Sequence, residues 1–177
     1  MKRAIALLEK HNLLKIISDE LDINLEIPHI AYVEVKRPDS KAILFTNVVD
    51  RKNSKKFKEP VLMNVFCNED AVKLFIGDGD KIGSEIESLL KLKPPVTFSE
   101  KLSTLGKLFS LKNTIPKKIK GKGICQEVIK LGADAKLSDL PVIKTWEDDG
   151  GAFITMGQVY TQSLNGELKN LGMYRLQ

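Results

Sequence analysis

Long hydrophobic runs are missing from this 177-residue sequence. Its longest apolar stretches, such as 42–45 and 60–63, are far shorter than the roughly 18 to 20 residues that a membrane-spanning helix needs. The basic start and apolar residues 4–8 resemble a signal peptide only superficially, because Glu9 and Lys10 interrupt the run and no small-residue cleavage site follows. The sequence therefore predicts a cytoplasmic protein without a transmembrane segment.

Cysteine and histidine are scarce, with two of each. Cys67 and Cys125 form no disulfide framework, and neither has a partner at metal-ligand spacing, so both are predicted to be buried reduced thiols. His11 and His29 also lack such partners, and no Cys–His or Ser–His–Asp arrangement can be proposed. A GxGxxG fingerprint and a P-loop are absent as well. The usual zinc, nucleotide and triad sites are therefore not predicted.

Acidic residues are fewer than basic ones: the sequence has 23 Asp and Glu residues and 28 Lys and Arg residues, which gives a net charge of +5. The excess is concentrated at residues 51–58 and 117–122, and such clusters attract phosphate. They support an alternative function, a basic nucleic-acid- or polyanion-binding α/β module without catalysis. However, both clusters lie in Pro- or Gly-flanked loops that contain almost no aromatic residues. Solvated loops are the favoured interpretation, and no nucleic-acid partner is predicted.

Hydrophobic periodicity and capping residues predict a mixed first part of the chain. Two strand-rich runs, 41–48 and 60–67, are expected to pair as buried strands on either side of the basic loop. Helices are expected over 2–19, 29–36 and 68–76, from 78 to the stop at Pro94-Pro95, and over 99–109. In the fourth helix an apolar stripe is expected to face the core, and it consists of Ile82, Ile86, Leu89 and Leu90.

Strands dominate after a linker-like connection at 113–123. The pattern predicts a first domain at 1–118 and a second at 119–177. Strands are expected over 125–129, 152–162 and 168–176, with a turn at 137–141. The Asn165-Gly166 dipeptide predicts a tight hairpin with positive φ at both central positions, so the last two strands should pair antiparallel.

Two residues near the C-terminal end, Asn170 and Arg175, have side chains that are suited to binding a ligand. An amide oxygen suits a hard divalent cation, and a guanidinium suits a carboxylate or phosphate. Residues an odd number apart on a regular strand point to opposite faces, so one shared site needs a bend, for which Gly172 is suited. Spacing alone leaves open a turn asparagine and a surface arginine. The carboxylates of 147–149, beside Gly150-Gly151, are interpreted as a solvated acidic turn.

The sequence as a whole resembles the UbiD family of prenylated-flavin-dependent decarboxylases. The motifs that carry the resemblance are Leu140–Trp146, Asp149–Thr155 and Asn170–Arg175, supported by Asp22–Ile27 and Lys41–Phe45. The resemblance implies an α+β fold class, with an N-terminal α/β domain followed by the first strands of a split β-barrel like that of flavin reductases. It also implies a non-oxidative carboxy-lyase.

Metal roles carried over from the family fall on two neighbouring residues. The resemblance implies that Asn170 ligates a divalent ion, usually Mn²⁺, which bridges to the flavin phosphate. It implies that the backbone carbonyl of Leu171 binds a nearby K⁺.

Cofactor roles carried over by position fall on β-strand residues around the same motif. The resemblance implies that Thr155, Met173, Tyr174 and Arg175 line prenylated FMN. It also implies that Arg175 is the catalytic arginine that orients the substrate carboxylate, which its planar fork of donors suits.

The resemblance further implies the partners of the whole enzyme. These are a small aromatic or α,β-unsaturated carboxylic acid, such as a polyprenyl-4-hydroxybenzoate of quinone biosynthesis, and a flavin prenyltransferase that supplies the cofactor. A homo-oligomer is expected at full length, and peripheral membrane association is compatible with the family. Because family members continue for several hundred residues past Arg175, with the other metal and acidic groups, we expect this chain to be an N-terminal portion that is inactive alone.

Overall fold

A computed structural model describes residues 1–91 and 120–177, apart from the Cys125 side chain. These residues fall into two compact units, one of 1–77 with 136–177 and one within 78–135. The predicted boundary between residues 118 and 119, the predicted helix 99–109 and the basic residues 117–119 lie outside the described part. The α+β class is confirmed, since helices accompany two separate sheets.

The first unit is built on a β-α-β arrangement at its N-terminal end. Helix α1 (Lys2–Lys10) leads into strand β1 (Leu14–Asp22), and helix α2 (Glu26–Val35) connects it to strand β2 (Ala42–Asp50). Strands β1 and β2 pair in parallel. A parallel pair requires a long crossover, and α2 supplies it.

Strand β2 is also the partner of two short antiparallel strands, β3 (Lys55–Lys56) and β4 (Val61–Met63). The predicted pairing of the two strand-rich runs is therefore confirmed, although the second strand is shorter than 60–67. Helix α3 (Glu69–Phe75) follows, and the Asn68 side chain accepts a hydrogen bond from the Ala71 N–H at 2.9 Å, as its N-cap position predicts.

The predicted helix over residues 2–19 is wrong beyond Lys10. Asn12 has a φ of +57°, and hydrogen bonds from Leu13 N to Leu8 O and from Asn12 N to Glu9 O close the helix end. These bonds form a Schellman motif with Asn at the left-handed position, which Asn tolerates better than most residues. The apolar residues that continued the helical period, such as Ile17, instead belong to the parallel strand β1.

The hydrophobic core lies around β2. Its buried members are Ile27, Ile43, Phe45, Val48, Phe57 and Val61. Phe45 and Ile27 are fully buried, which places α2 directly against the central strand. Ile143, from the later part of the chain, packs against the same cluster. The N-terminal sheet therefore supports the segment that leads to the last two strands. Cys67 is buried as predicted, and its burial raises the pKa of the thiol.

Helix α4 (Gly79–Leu90) lies in the second unit and begins where it was predicted, because the Asp78 side chain accepts hydrogen bonds from the N–H groups of Asp80 and Lys81. Its apolar stripe does not face a core among the described residues. Ile86 is 52% exposed and Leu90 is 82% exposed, while Ile82 and Leu89 are only half-buried. The expectation that this stripe is buried is thus wrong for that part of the chain.

The strand predicted over residues 125–129 is also wrong. Residues Ile124–Gln126 form a 3₁₀ helix, in which the Gly123 N–H donates to the Gln126 side chain at 2.9 Å. That local bond favours a tight turn over an extended backbone. Val128 and Ile129 are exposed and belong to no strand in the described part of the chain.

A polar network fixes the start of α2. The Asp22 N–H donates to Glu26 Oε2 at 2.9 Å, and the Arg51 guanidinium donates to Glu26 Oε1. The bond from Asp22 N–H, followed by that from Arg51, lowers the pKa of Glu26. The network ties the end of β1 to the loop after β2.

Stability should therefore depend on pH through Glu26. Because its folded pKa lies below the unfolded value, ionised Glu26 stabilises the fold above about pH 4.3, and this contribution is lost as pH falls through the folded pKa. Urea unfolding should show wild type to be more stable than Glu26→Gln at about pH 7, with the difference shrinking toward about pH 3. An undiminished difference at the lower pH would show that ionisation of Glu26 contributes nothing.

Membrane-spanning character is not found in the described ranges. No helix among residues 1–91 and 120–177 is both long enough and apolar enough to cross a bilayer.

Candidate functional site on the last two strands

The candidate site lies on an antiparallel hairpin of β5 (Ile154–Gln162) and β6 (Lys169–Leu176), as predicted. The turn between them differs from the predicted one. The Gly166 N–H donates to the Ser163 carbonyl at 2.9 Å, so Leu164 and Asn165 are the central residues of the turn. Positive φ is confined to Gly166, at +76°. The loop is longer than a two-residue hairpin, and Asn165 therefore needs no left-handed conformation.

A β-bulge places two of the predicted site residues opposite each other. Ile154 pairs with Leu176 and Gly157 pairs with Tyr174, so two residues of β5 face the single residue Arg175 of β6. Those two residues are Thr155 and Met156. Bulges redirect side chains and are common next to active sites. The structure thus brings Thr155 next to Arg175 across the hairpin.

Asn170 and Tyr174 share one face of β6. The Asn170 Nδ2 donates to the Tyr174 hydroxyl at 3.4 Å. The Tyr174 ring lies over Gly172, where an added Cβ would come within 2.5 Å of the ring. A side chain at position 172 would therefore displace the tyrosine. The role of Gly172 is therefore to make room for the Tyr174 ring. The sequence had suggested that it bends the strand between Asn170 and Arg175.

Arg175 lies on the opposite face, with Leu171 and Met173, because side chains alternate along a regular strand. Its guanidinium carbon lies 4.9 Å from the centroid of the Phe153 ring, a distance typical of a cation–π contact. Asn170 and Arg175 are therefore not brought together on one face. The sequence did not predict the contact between Phe153 and Arg175. The position of an aromatic residue directly before strand β5 could have suggested it.

No metal-binding cluster accompanies Asn170 among the described residues. They contain no cluster of three or more His, Cys, Asp or Glu side chains that could hold an ion. Asn170 offers one amide oxygen, and its cross-strand partner Thr161 carries a hydroxyl. Since a divalent ion takes several oxygen ligands, Asn170 alone does not make a complete site.

The first basic loop is largely engaged with acidic groups. Lys55 bonds Asp139 at 3.0 Å, Lys56 pairs with Glu20 at 3.5 Å, and Arg51 pairs with Glu26. Cations already paired with carboxylates offer less charge to phosphate. This arrangement does not favour the polyanion-binding alternative.

Sequence reasoning missed a cavity of about 730 Å³ in the first unit. Its wall includes Asp50 and Lys55 from the loop after β2, Leu140, and Leu176 at the end of β6. The polar groups are satisfied locally, since Asp50 binds Asn53 and Lys55 also donates to the Ser138 carbonyl at 2.5 Å. The wall joins residues more than 80 positions apart, and no local pattern reveals such contacts.

Two family models match the chain. The 3-octaprenyl-4-hydroxybenzoate carboxy-lyase N-terminal domain matches residues 5–90, and the Rift-related domain of the same carboxy-lyase matches residues 117–177.

Full-length relatives are much longer than this chain. An uncharacterized protein of Helicobacter pylori is 44% identical over 182 residues, which cover 100% of this chain and 29% of the relative. An uncharacterized protein of Aquifex aeolicus is 38% identical over 173 residues, covering 96% and 34% respectively. The chain spans about a third of the length of these relatives.

Solved structures share the fold. The vanillic acid decarboxylase of Sedimentibacter hydroxybenzoicus, in closed form, aligns with a TM-score of 0.68 at 20% identity over 99% of this chain and 34% of that one. An evolved dimeric form of the UbiD-class enzyme HmfF from Pelotomaculum thermopropionicum, in complex with prFMN, aligns with a TM-score of 0.54 at 21% identity over 99% and 35%. Because two domain models of one family match residues 5–90 and 117–177, the chain belongs to the UbiD family.

Proposed function

We propose that this chain forms the N-terminal part of a prenylated-FMN-dependent decarboxylase, with Asn170–Arg175 as part of its active site. The observation that supports the proposal most is the bulge that sets Thr155 opposite Arg175, with the arginine stacked on Phe153. A stacked guanidinium has less freedom to lose when it binds a carboxylate in its plane. The substrate would be an aromatic or α,β-unsaturated acid, and a hydroxybenzoate precursor of quinones is one candidate.

Arg175 would bind and orient the substrate carboxylate through paired hydrogen bonds. Met173 and Leu171, on the same face, would exclude water and strengthen that interaction. Bound prenylated flavin would supply the electron sink that releases carbon dioxide. The protein then contributes orientation and electrostatics.

The cofactor would contact the part of β6 between Asn170 and Arg175. Asn170 and Arg175 are five residues apart, which is about 16 Å on a strand, and an elongated flavin nucleotide fits such a separation. Asn170 and Tyr174 lie on one face of β6, and Met173 and Arg175 lie on the other. The cofactor would contact both faces by passing along the edge of β6 that does not pair with β5. In this arrangement Asn170 would contribute one Mn²⁺ ligand and Leu171 a carbonyl to K⁺. The remaining metal ligands would be supplied by residues other than Asn170 and Leu171.

The proposed architecture is the beginning of a split β-barrel, of which β5 and β6 would be strands. The whole enzyme would be a homo-oligomer that receives its cofactor from a flavin prenyltransferase.

Cofactor retention tests the proposal. We define a chimera in which residues 1–177 replace the matching segment of the Helicobacter pylori relative. Each protein is co-expressed with a flavin prenyltransferase and purified by gel filtration. The chimera is expected to retain flavin absorbance, and the 177-residue chain is expected to lose it. A folded chimera that retains no flavin while the parent relative does would contradict the assignment.

A further inference from the structure

A series of backbone hydrogen bonds connects the N-terminal sheet to the start of β5. The Ile23 N–H, just after β1, donates to the Val49 carbonyl of β2 at 2.9 Å. The Lys144 N–H donates to the Ile23 carbonyl at 3.2 Å. One residue earlier, the Ile143 carbonyl accepts a hydrogen bond from the Phe153 N–H at 3.0 Å. Residues 143 and 144 therefore lie between the N-terminal sheet and Phe153 and are bonded to both.

Further contacts hold this connecting segment in place. The Lys144 carbonyl accepts a hydrogen bond from the Leu25 N–H at 3.1 Å, so residue 144 is held through both of its backbone polar groups. Ile143 packs against the core cluster that contains the fully buried Phe45. A two-stranded hairpin by itself is only marginally stable in water, so β5 and β6 need support of this kind. The position of Phe153 is therefore tied to the N-terminal sheet.

Phe153 and Arg175 are diagonal neighbours on one face of the hairpin. Ile154 pairs with Leu176, and side chains alternate along each strand, so Phe153 and Arg175 both point to the face opposite that pair. Diagonal neighbours lie within reach of an aromatic ring, and here the guanidinium carbon is 4.9 Å from the ring centroid. Phe153 is half-buried and Arg175 is exposed. The ring is thus the held member of the contact, and the arginine is the member that it restricts.

We propose that Phe153 is a positioning residue for Arg175, and that the N-terminal sheet holds Phe153 in place through residues 143–144. The ring contact would limit the rotamers of a long exposed side chain, so that its planar fork of donors is presented in one orientation. The N-terminal sheet would then contribute to the reaction without contacting the substrate. This consequence for catalysis rests on the proposed function, whereas the contact itself is measurable in the 177-residue chain.

Proton NMR of the 177-residue chain tests the contact without cofactor or substrate. Protons over the face of an aromatic ring resonate upfield, so the Arg175 side-chain protons should lie upfield of those of the exposed Arg3. Arg175→Lys identifies the signal. Phe153→Leu should abolish the upfield shift, whereas Phe66→Leu, which removes an exposed ring before α3, should leave it unchanged. No upfield shift in the wild type, or a shift that persists in Phe153→Leu, would overturn the proposal.

Amide hydrogen exchange tests the link to the N-terminal sheet. The Phe153 N–H should exchange slowly because it is bonded to the Ile143 carbonyl. Ile143→Ala should speed that exchange by about tenfold or more and weaken the Arg175 upfield shift in the same protein. The matched control Ile16→Ala, at an exposed position of β1, should change neither.

Two results would refute the link. One is a folded Ile143→Ala variant in which both the exchange and the shift are unchanged. The other is a wild-type Phe153 N–H that exchanges as fast as an unbonded exposed amide, and this measurement decides the matter if Ile143→Ala does not fold.

Kinetics of the chimera test whether the positioning matters for the reaction. Phe153→Leu is expected to lower kcat by roughly 3- to 10-fold, with a smaller change in KM and unchanged flavin content, because a more mobile guanidinium orients the carboxylate less often. Phe153→Tyr keeps the ring and should restore most of the activity. An unchanged kcat in Phe153→Leu, or an equal loss in Phe153→Tyr, would contradict the positioning role. An inactive chimera whose 177-residue segment keeps the NMR contact would instead refute the proposed function and leave the contact established.

Discussion

Phe45→Ala is expected to lower the free energy of unfolding of the 177-residue chain by about 3–5 kcal/mol. Phe45 is fully buried in the central strand β2, where it belongs to the cluster that joins the sheet to α2. Removing its ring takes away apolar burial and leaves a cavity that the surrounding side chains fill only partly. Domains of this size are stable by about 5–15 kcal/mol, so the loss is a large fraction of the total. Urea denaturation followed by circular dichroism measures it.

The matched control is Ile16→Ala on the adjacent strand β1. Ile16 is 56% exposed, and its truncation should cost less than about 1 kcal/mol. Similar losses for the two variants would show that the core is not centred on β2.

Arg175→Lys is expected to reduce decarboxylation by the chimera by roughly 10²- to 10³-fold. Lysine keeps the positive charge but loses the planar fork that orients a carboxylate, and it stacks less well on Phe153. If Arg175 acts on the reacting carboxylate, kcat should fall more than the apparent affinity for the substrate. The assay follows loss of the acid under steady-state conditions, with the prenylated flavin content of each variant measured separately.

Lys169→Gln provides the control for Arg175. Lys169 is a cation on the same strand and, by alternation, on the same face, but at the far end of β6. Its removal should change turnover by no more than about twofold, as expected of an exposed charge. An active Arg175→Lys variant, or an equal loss in Lys169→Gln, would remove Arg175 from the proposed mechanism.

Local sequence signals predicted much of the N-terminal fold. Asn68 and Asp78 mark two helix starts, and the β-branched run of β2 marks the central strand. The end of α1 was missed because Leu14 and Ile17 continue a helical period by chance. Asn12 was the signal that could have ended the helix, since its left-handed conformation closes a Schellman motif. Parallel pairing with β2 then stabilises the extended conformation of β1, and no local pattern shows such pairing.

The hairpin of the candidate site was also predictable, but its geometry was not. Alternation on β5 and the turn near Gly166 indicated two paired strands. The bulge opposite Arg175 depends on the register between strands, and the contact of Arg175 with Phe153 joins residues 22 positions apart. Gly172 was expected to bend the strand, whereas its missing Cβ makes room for the Tyr174 ring. The roles of Thr155, Asn170, Leu171, Met173, Tyr174 and Arg175 remain predictions.

Release of labelled carbon dioxide tests the central claim most directly. The chimera, loaded with prenylated FMN, is incubated with a panel of aromatic and α,β-unsaturated acids labelled with ¹³C at the carboxyl group, and the headspace gas is analysed by mass spectrometry. We predict ¹³CO₂ from the loaded chimera with at least one acid, and none from the chimera without cofactor or from the 177-residue chain. Labelled gas from the 177-residue chain alone, or none from a loaded chimera whose parent relative is active, would contradict this account.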